Sequence, residues 1–598
     1  MMILKNNILL YIVIPALIMY LFEAYTHNPF VRMKAGIQVL NILLFILINT
    51  LFFFLTGKLS ISLRIMCVVF MILGLAEYYL VEFRGVTLLP WDLGSLGIAA
   101  EVAGGYNYVP GLRALLCISG FILLFIISGL ADLSLKSLLP DTGAEIYAVR
   151  AVGVVLSFVF IVLYTSFVQT EFAKNFFGFY TKLFTPTAIS ERDGTLTAFL
   201  MELQYINVKR PEDYSKEKAD NILNNYKAVP PDENKANIIV VMNEAFSDLS
   251  VLGDFETNED YMPFVHSLQK GEYKNALTGE LNVSIVGGNT PNTEFEFLTG
   301  NSLAFLPEGS IPFQQYVDEG IYAIPAYLKD NGYATVGMHP YYEAGWDRGR
   351  VYPQLGFERD LFIDDFDKDA SRIRDYISDM ECSRKLISEY ESNQGSGKPL
   401  FAFCVTMQNH SPYDKAYKNL PSKIKIESDK NLKNKETTER YLTLIKKSDE
   451  AFKYLVDYFA EKEDPTVIVM FGDHQPSDSV VRPVLRIQGK DSRNLSEADV
   501  ENRYIVPYVI WANYDISGQS GGDTSANFLG GKTLEIAGAG RYPYLSFLMD
   551  TSLKYPVLSA IRTIDAEGHH LNDKETEEDK TISEYKVLQY HELFDGKS

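Results

Sequence analysis

At 598 residues the chain is long enough for several domains, and its 47% hydrophobic content is spread very unevenly under a formal net charge of −21. Residues 1–170 carry 9 Lys/Arg against 8 Asp/Glu, so the remaining 46 against 68 put essentially all of the acidity beyond that point. Such a surface excludes a general role in nucleic acid binding, which needs basic patches, and it repels anionic substrates unless a bound cation reverses the local field.

Five apolar stretches open the chain, at 8–22, 37–55, 61–75, 114–131 and 151–168. Several match the roughly 20 residues that a helix needs to cross a bilayer, and the shorter ones extend through flanking Tyr and Phe. The first lacks a small-residue cleavage site and is followed by four more, so it reads as an anchor and not as a removable signal. With the N-terminus inside, five crossings put the remainder outside. Loop charges lean the same way: Lys5, Lys58, Arg64, Lys136 and Arg150 inside, against Arg32, Lys34, Arg84 and Arg113 outside. A polar cluster between the third and fourth stretches, with Glu77, Glu82, Phe83-Arg84-Gly85 and Pro90-Trp91-Asp92, reads equally well as an interfacial anchor and as a lipid headgroup site.

From 171 to 235 the chain turns polar, and Arg192-Asp193-Gly194, Lys209-Arg210-Pro211 and Val229-Pro230-Pro231-Asp232 punctuate a helical connector. A domain spanning 236–598 follows. Its apolar runs recur at 238–242, 333–338, 400–405, 466–471 and 505–511, with segments of helical composition such as 439–461 between them. This alternation predicts an α/β fold with a mainly parallel sheet and helices on both faces, whose ligands gather at the carboxyl ends of the strands. Cys67 and Cys117 fall in predicted spans and Cys404 in an apolar strand, so no disulfide framework is indicated.

Three segments release polar groups where chemistry is expected. The run from Asn237 ends in Glu244, the glycine-rich Gly287-Gly288-Asn289-Thr290 reads as a further strand end delivering a hydroxyl, and the run from Thr466 ends in Gly472-Asp473-His474. Glu244, Thr290, Asp473 and His474 together suit one hard divalent cation, and a cation-bound hydroxyl is acidic enough to serve as a nucleophile near neutral pH. Thr293 is the competing hydroxyl, and spacing does not choose between the two. The same segment also reads as a helix N-terminus with Glu294 in its first turn. His339, His410 and His474 all follow apolar runs. Arg348, in Trp346-Asp347-Arg348, offers a guanidinium fork for phosphate oxygens, with the Trp346 indole to pack on a short alcohol. His410 is placed to protonate a leaving oxygen, oriented by Asn409 and the Ser411-Pro412 turn. No Cys/Ser-x-Pro-x-Arg segment is present, which argues against sulfate ester hydrolysis, and one metal is expected in place of the two of a two-metal phosphatase. A non-catalytic membrane protein that binds envelope polymer is the competing class, but it has no need of an activated hydroxyl.

The set Asn243-Glu244, Gly-Gly-Asn-Thr290-Pro-Asn-Thr-Glu-Phe, Met-His339, Trp346-Asp-Arg348, Gln-Asn-His410-Ser-Pro-Tyr and Phe-Gly-Asp473-His474 resembles the lipoteichoic acid synthase family. The resemblance implies a multi-pass protein of a bacterial plasma membrane with an extracellular sulfatase-like domain of the alkaline phosphatase superfamily. It implies a phosphoglycerol transferase that takes glycerophosphate from phosphatidylglycerol through a covalent threonine intermediate at Thr290. Glu244, Thr290, Asp473 and His474 match the ligands of one manganese ion, for which magnesium can substitute. His339, Trp346 and Arg348 match groups that contact phosphoglycerol, and His410 lies near the leaving oxygen. The implied acceptor is a growing polyglycerolphosphate chain or a glycolipid; transfer of phosphoglycerol or phosphoethanolamine to another envelope glycan, or phosphodiester hydrolysis, is the alternative. Two positions depart from the family's usual pattern: Asn289 stands before the threonine where lysine is common, and Tyr341 stands after His339 where aspartate is common.

Overall fold

The computed structural model describes residues 2–84, 87–90, 109–138, 145–180, 186–205, 208–307, 309–317, 320–428, 432–433, 435–492, 495–519 and 521–596. It divides into two compact units, the first covering 1–208 with the short 307–309 loop and the second the rest of 209–598. The connector expected at 171–235 is therefore shared between them.

The first unit is helical. Helices Met2–Glu23, Ala35–Thr56, Leu59–Arg84, Leu112–Ile127 and Glu145–Val168 occupy the five apolar stretches. Four of these regions are long and apolar enough to cross a membrane, and the first, Asn7–Glu23, falls short of that length. Val152, Val155, Leu156, Phe158 and Leu163 all face outward from the last helix, an arrangement stable only where the surroundings are themselves apolar. This is a membrane protein. Inside the bundle Ser62 Oγ donates to Asn49 Oδ1 at 3.0 Å. Glu77, also buried, accepts hydrogen bonds from the Thr87 hydroxyl and, at 2.8 Å, from the Leu88 amide. The Gly85 and Trp91-Asp92 parts of the predicted headgroup site lie outside the described residues.

The second unit is built on strands β1 Asn237–Asn243, β2 Ala276–Asn282, β3 Ala334–Met338, β4 Arg359–Leu361, β7 Leu400–Val405, β8 Thr466–Gly472, β9 Ile505–Ala512 and β10 Thr524–Ser525. A ribbon of β5 Arg372–Ile373 and β6 Tyr376–Ile377 and a small sheet of β11 Val557–Leu558, β12 Thr563–Ile564 and β13 His570–Leu571 complete the set. The main sheet runs β10-β2-β9-β8-β1-β7-β3-β4. Strands β8, β1, β7, β3 and β4 are mutually parallel and β9 is antiparallel to its neighbours on both sides. The expected mainly parallel sheet is present.

Every residue of β1, β7 and β8 is buried, as the β-branched runs require of strands covered on both faces. Ile239, Val241, Ala402, Cys404, Ile468 and Met470 join a core with helices Asp379–Asn393 and Lys435–Ala460. On the opposite face Phe297, from helix Pro291–Thr299, lies 5.7 Å from Phe403 and 5.1 Å from Phe471 between ring centres. Each such side chain contributes roughly 1.5–3 kcal/mol on burial. Register then fixes the site, because Asn243 pairs with Gly472, Met242 with Val405 and Cys404 with Met338, so four strands end on one line.

Candidate active site

Glu244 leaves β1 and Asp473-His474 leave β8, and their ligand atoms all lie within 4.8 Å of one another. His474 Nε2 is 3.3 Å from Asp473 Oδ2 and 3.8 Å from Glu244 Oε1. The cluster is buried, and each residue is held from behind. Asp473 Oδ1 accepts the amides of Ala245 at 2.7 Å and His474 at 2.8 Å. The His474 Nδ1–H donates to the Gln475 carbonyl at 2.9 Å, which leaves Nε2 with its lone pair turned into the cluster. Among the described residues Asp473 Oδ2 and His474 Nε2 have no hydrogen-bond partner although both are buried. Burial, followed by the neighbouring Asp473 charge, pushes the Glu244 carboxyl well above its ordinary range. Two crowded carboxylates and an unpaired imidazole nitrogen are a poor arrangement without a cation and a fitting donor set for one.

Thr290 is not released directly by a strand. A loop after β2, turning through Gly287 at φ 77° and Asn289 at φ 64°, carries it to the start of helix Pro291–Thr299. Its hydroxyl makes no capping bond there and instead donates to Glu244 Oε2 at 3.2 Å. The correction has a physical reason: the glycine-rich turn re-aims the chain so that the start of this helix, with Thr290 at its cap position, meets the site. Thr293 is committed elsewhere, donating to the Asp473 carbonyl at 2.8 Å. Geometry thus selects Thr290 for the cluster.

Arg348 is buried and bound by Glu294, whose carboxylate accepts from Nε at 3.1 and 3.2 Å and from Nη2. Nη1 donates to the Gly345 carbonyl at 3.1 Å, and the Tyr352 hydroxyl donates to Glu294 Oε2 at 2.9 Å. One edge of the guanidinium fork is spent on Glu294, and Nη1 gives one hydrogen to Gly345. Trp346 and Asp347 precede it in left-handed backbone at φ 56° and 62°, a strained turn of the kind that aims side chains at functional sites. His339 follows β3 and donates Nδ1–H to the Val405 carbonyl at 3.0 Å. Burial, then the Arg348 charge, holds its imidazole well below the usual range.

His410 sits on the loop after β7, which Arg374 clamps by donating to the carbonyls of Gln408 at 2.7 Å, His410 at 2.6 Å and Pro412 at 2.8 Å. Its Nδ1–H donates to the Ser411 carbonyl at 2.8 Å, leaving Nε2 as an acceptor. Burial lowers its pKa to about 4, with Arg374, His474 and Arg348 adding to the effect against the Ser411 bond. Glu294 and Arg374 were the residues that sequence reasoning missed. Glu294 carried one signal: a carboxylate inside an apolar helix must find a partner. Arg374 carried none, because its role rests on a left-handed backbone at φ 57°.

A cluster able to hold one metal ion thus stands at the carboxyl edge of a mostly parallel sheet, beside a hydroxyl at a helix N-terminus, on a chain with membrane helices. The sulfatase family model matches residues 236–539, just over half of the sequence, and the chain belongs to that family. A cyclic beta-1,2-glucan modification protein of Rhizobium meliloti is 30% identical over 68% of this chain and 62% of its own length. Lipoteichoic acid synthase 1 of Bacillus subtilis is 27% identical over 48% of this chain and 42% of its own. A Streptococcus pyogenes phosphoglycerol transferase, solved with sn-glycerol-1-phosphate, shares the fold at 18% identity and a TM-score of 0.50, covering 64% of this chain and 94% of that one. The chain thus spans less than two thirds of the length of these two curated relatives.

Proposed function

We propose that the protein is a phosphoglycerol transferase that takes glycerophosphate from phosphatidylglycerol, on the outer side of a bacterial membrane crossed five times, and passes it to a hydroxyl of an envelope glycolipid or polyglycerolphosphate chain. The observation that carries the reading is the Thr290 hydroxyl set against Glu244 Oε2, within the buried cluster whose remaining members are Asp473 and His474. The names of relatives agree with it: a lipoteichoic acid synthase and, at the level of fold, a phosphoglycerol transferase. A divalent cation held by Glu244, Thr290, Asp473 and His474, manganese in the lipoteichoic acid synthase pattern, would supply positive charge that lowers the pKa of the threonine hydroxyl and offsets the charge of the phosphate.

The residues then divide the work. Thr290 Oγ1 passes its proton towards Glu244 Oε2 and attacks phosphorus, the bond from phosphorus to the diacylglycerol oxygen breaks, and a glycerophospho-threonine remains. Arg348 grips phosphate oxygens while Glu294 fixes its plane, and His339 and Trp346 contact the glycerol. His410 Nε2 gives a proton to the departing diacylglycerol oxygen and takes one from the acceptor hydroxyl when that hydroxyl displaces Thr290, whose oxygen recovers its own proton from Glu244. The imidazolium so formed returns the proton to the next diacylglycerol oxygen, a role worth roughly 10²- to 10⁴-fold.

Mass spectrometry of the full-length protein with phosphatidylglycerol and manganese tests this. The expected result is a glycerophosphate adduct on Thr290, absent from Thr290→Ala. Diacylglycerol release at an undiminished rate by Thr290→Ala would overturn it.

A further inference from the structure

Behind the site lies a polar network that the reaction above does not use. Asp379, Ser448, Gln408, Asn409, Asn243 and Thr406 are each at most 2% exposed. They come from separate elements: Asp379 opens helix Asp379–Asn393, Ser448 lies midway along helix Lys435–Ala460, Asn243 ends β1, and Thr406, Gln408 and Asn409 follow β7. Burying so many polar groups is unfavourable unless each is hydrogen-bonded, and here they bond one another. The Ser448 oxygen accepts from Gln408 Nε2 at 3.2 Å and from Asn409 Nδ2 at 2.9 Å, and its own hydrogen goes to Asp379 Oδ2. The Asp379 amide in turn donates to Gln408 Oε1 at 3.2 Å. Asn409 Nδ2 also reaches Asn243 Oδ1 at 3.1 Å. Thr406 Oγ1 donates to the same Asn243 oxygen at 3.4 Å and accepts the Glu244 amide at 3.2 Å.

We infer that Asp379 is a positioning residue: through Ser448 and Asn409 it fixes the spacing between Glu244, which receives the Thr290 hydroxyl, and His410, which moves protons at the leaving and attacking oxygens. The inference rests on the transferase reading, which gives Glu244 and His410 those tasks, and adds to it a residue outside the metal cluster. The network ends on both groups, since Thr406 holds the Glu244 amide and Asn409 directly precedes His410. Its direction is set at Asp379. Amides and hydroxyls both donate and accept, so a set built of them alone has several arrangements of similar energy, whereas a carboxylate only accepts. With both Ser448 lone pairs taken by amide hydrogens, the one hydroxyl hydrogen needs an acceptor elsewhere, and Asp379 supplies it. A carboxylate in the first turn of a helix is favoured by the partial positive charge there, so Asp379 can hold this place in the interior. Arg374 holds the backbone of the same loop by its carbonyls, and the Asp379 network holds its side chains. Productive geometry has a tolerance of about 0.5 Å, and a shift of about 1 Å costs on the order of 10²-fold in rate.

Three variants of the full-length protein test the assignment. Asp379→Ala removes the acceptor, and Asp379→Asn keeps one acceptor oxygen in a side chain of the same shape. Ser383→Ala is the structural control: it removes a buried hydroxyl that donates to the Ala451 carbonyl at 3.0 Å, a bond between the same two helices outside the path to the site. Manganese affinity is read by calorimetry without lipid, diacylglycerol release against phosphatidylglycerol concentration gives kcat and KM, and the unfolding midpoint reports the fold. Asp379→Ala is expected to bind manganese about tenfold more weakly and to lose roughly 10- to 100-fold in kcat, with KM within about twofold because Arg348 is untouched. Asp379→Asn is expected to recover most of both losses, and Ser383→Ala to lower the midpoint and change neither. The proposal is overturned if Asp379→Ala binds manganese and turns over as Ser383→Ala does, or if Asp379→Asn, folded at the wild-type midpoint, is as slow as Asp379→Ala. Where Asp379→Ala does not fold, Ser448→Ala breaks the same path at its middle; the same two losses support the assignment, and wild-type values overturn it. A wild-type protein that binds manganese and releases no diacylglycerol strikes the transferase reading, whereas the lipid-free metal affinity decides Asp379 independently.

Discussion

A guanidinium with 1% of its surface exposed is tolerable only because Glu294, itself fully buried, faces it. Glu294→Ala is therefore expected to cost about 3–5 kcal/mol, read by denaturant unfolding of the purified protein, because it leaves a buried charge alone. Replacing both partners, as Glu294→Leu with Arg348→Met, should recover much of that loss while transfer stays abolished. A double variant as unstable as Glu294→Ala alone would show that packing, and not charge, sets the cost. The two threonines of the same helix start make a second contrast. Thr290→Ala removes a hydroxyl that, among the described residues, bonds a cluster carboxylate alone, so the protein should fold and fail to form an adduct. Thr293→Ala removes a donor from the buried Asp473 carbonyl, so it should cost about 1–3 kcal/mol and still form the adduct. Adduct mass and unfolding midpoint, measured on both variants, separate the roles that spacing in the sequence left open.

Strands β1, β3, β7, β8 and β9 were legible because burial on both faces writes an uninterrupted apolar run into each of them. Strand β2 was not: Gly279 and Glu280 interrupt it, its burial is partial, and it exists because β9 and β10 supply its hydrogen bonds. The same division holds at the site. Groups that follow a strand directly, Glu244, His339, Asp473 and His474, could be placed from their neighbours in the chain. Thr290 depended on a loop geometry that only the folded chain reveals. One strand end also sets a steric limit. A Cβ on Gly472 would stand 1.9 Å from the Phe246 carbonyl oxygen, a backbone atom that cannot rotate away. Gly472→Ala should therefore force β8 from its register with β1, costing about 3 kcal/mol or more, and displace Asp473 and His474 together. Manganese titration by calorimetry should show affinity lost along with stability; a variant that binds the metal normally would mean that the Ala245-Phe246 turn can yield.

Nearly all of the net negative charge belongs to the part of the chain beyond the membrane helices, so cations and protons act on the whole of the second unit and not on one bond. A cation that binds only the folded cluster stabilises by mass action, about 2.7 kcal/mol at a hundredfold excess over Kd, and chelation should lower the unfolding midpoint accordingly. The proton effect that can be isolated most cleanly lies away from the metal cluster. His266 Nδ1 is 2.8 Å from Asp260 and Nε2 is 3.3 Å from Asp248, whose other oxygen accepts the Tyr261 hydroxyl. Burial works against the charged imidazole, but the bonds to Asp248 and Asp260 prevail and raise its pKa to about 9. The unfolded chain titrates near 6.5, so between these values the folded protein binds the extra proton and stability falls as pH rises. The contribution is complete below about pH 6.5 and gone above about pH 9, with a size of order 1–3 kcal/mol. His266→Gln keeps a side-chain donor and removes the titration. Unfolding free energies of the two proteins, compared at matched manganese, should therefore differ most near pH 6 and converge above pH 9; a gap that stays constant across that range would place the stabilising proton somewhere other than His266.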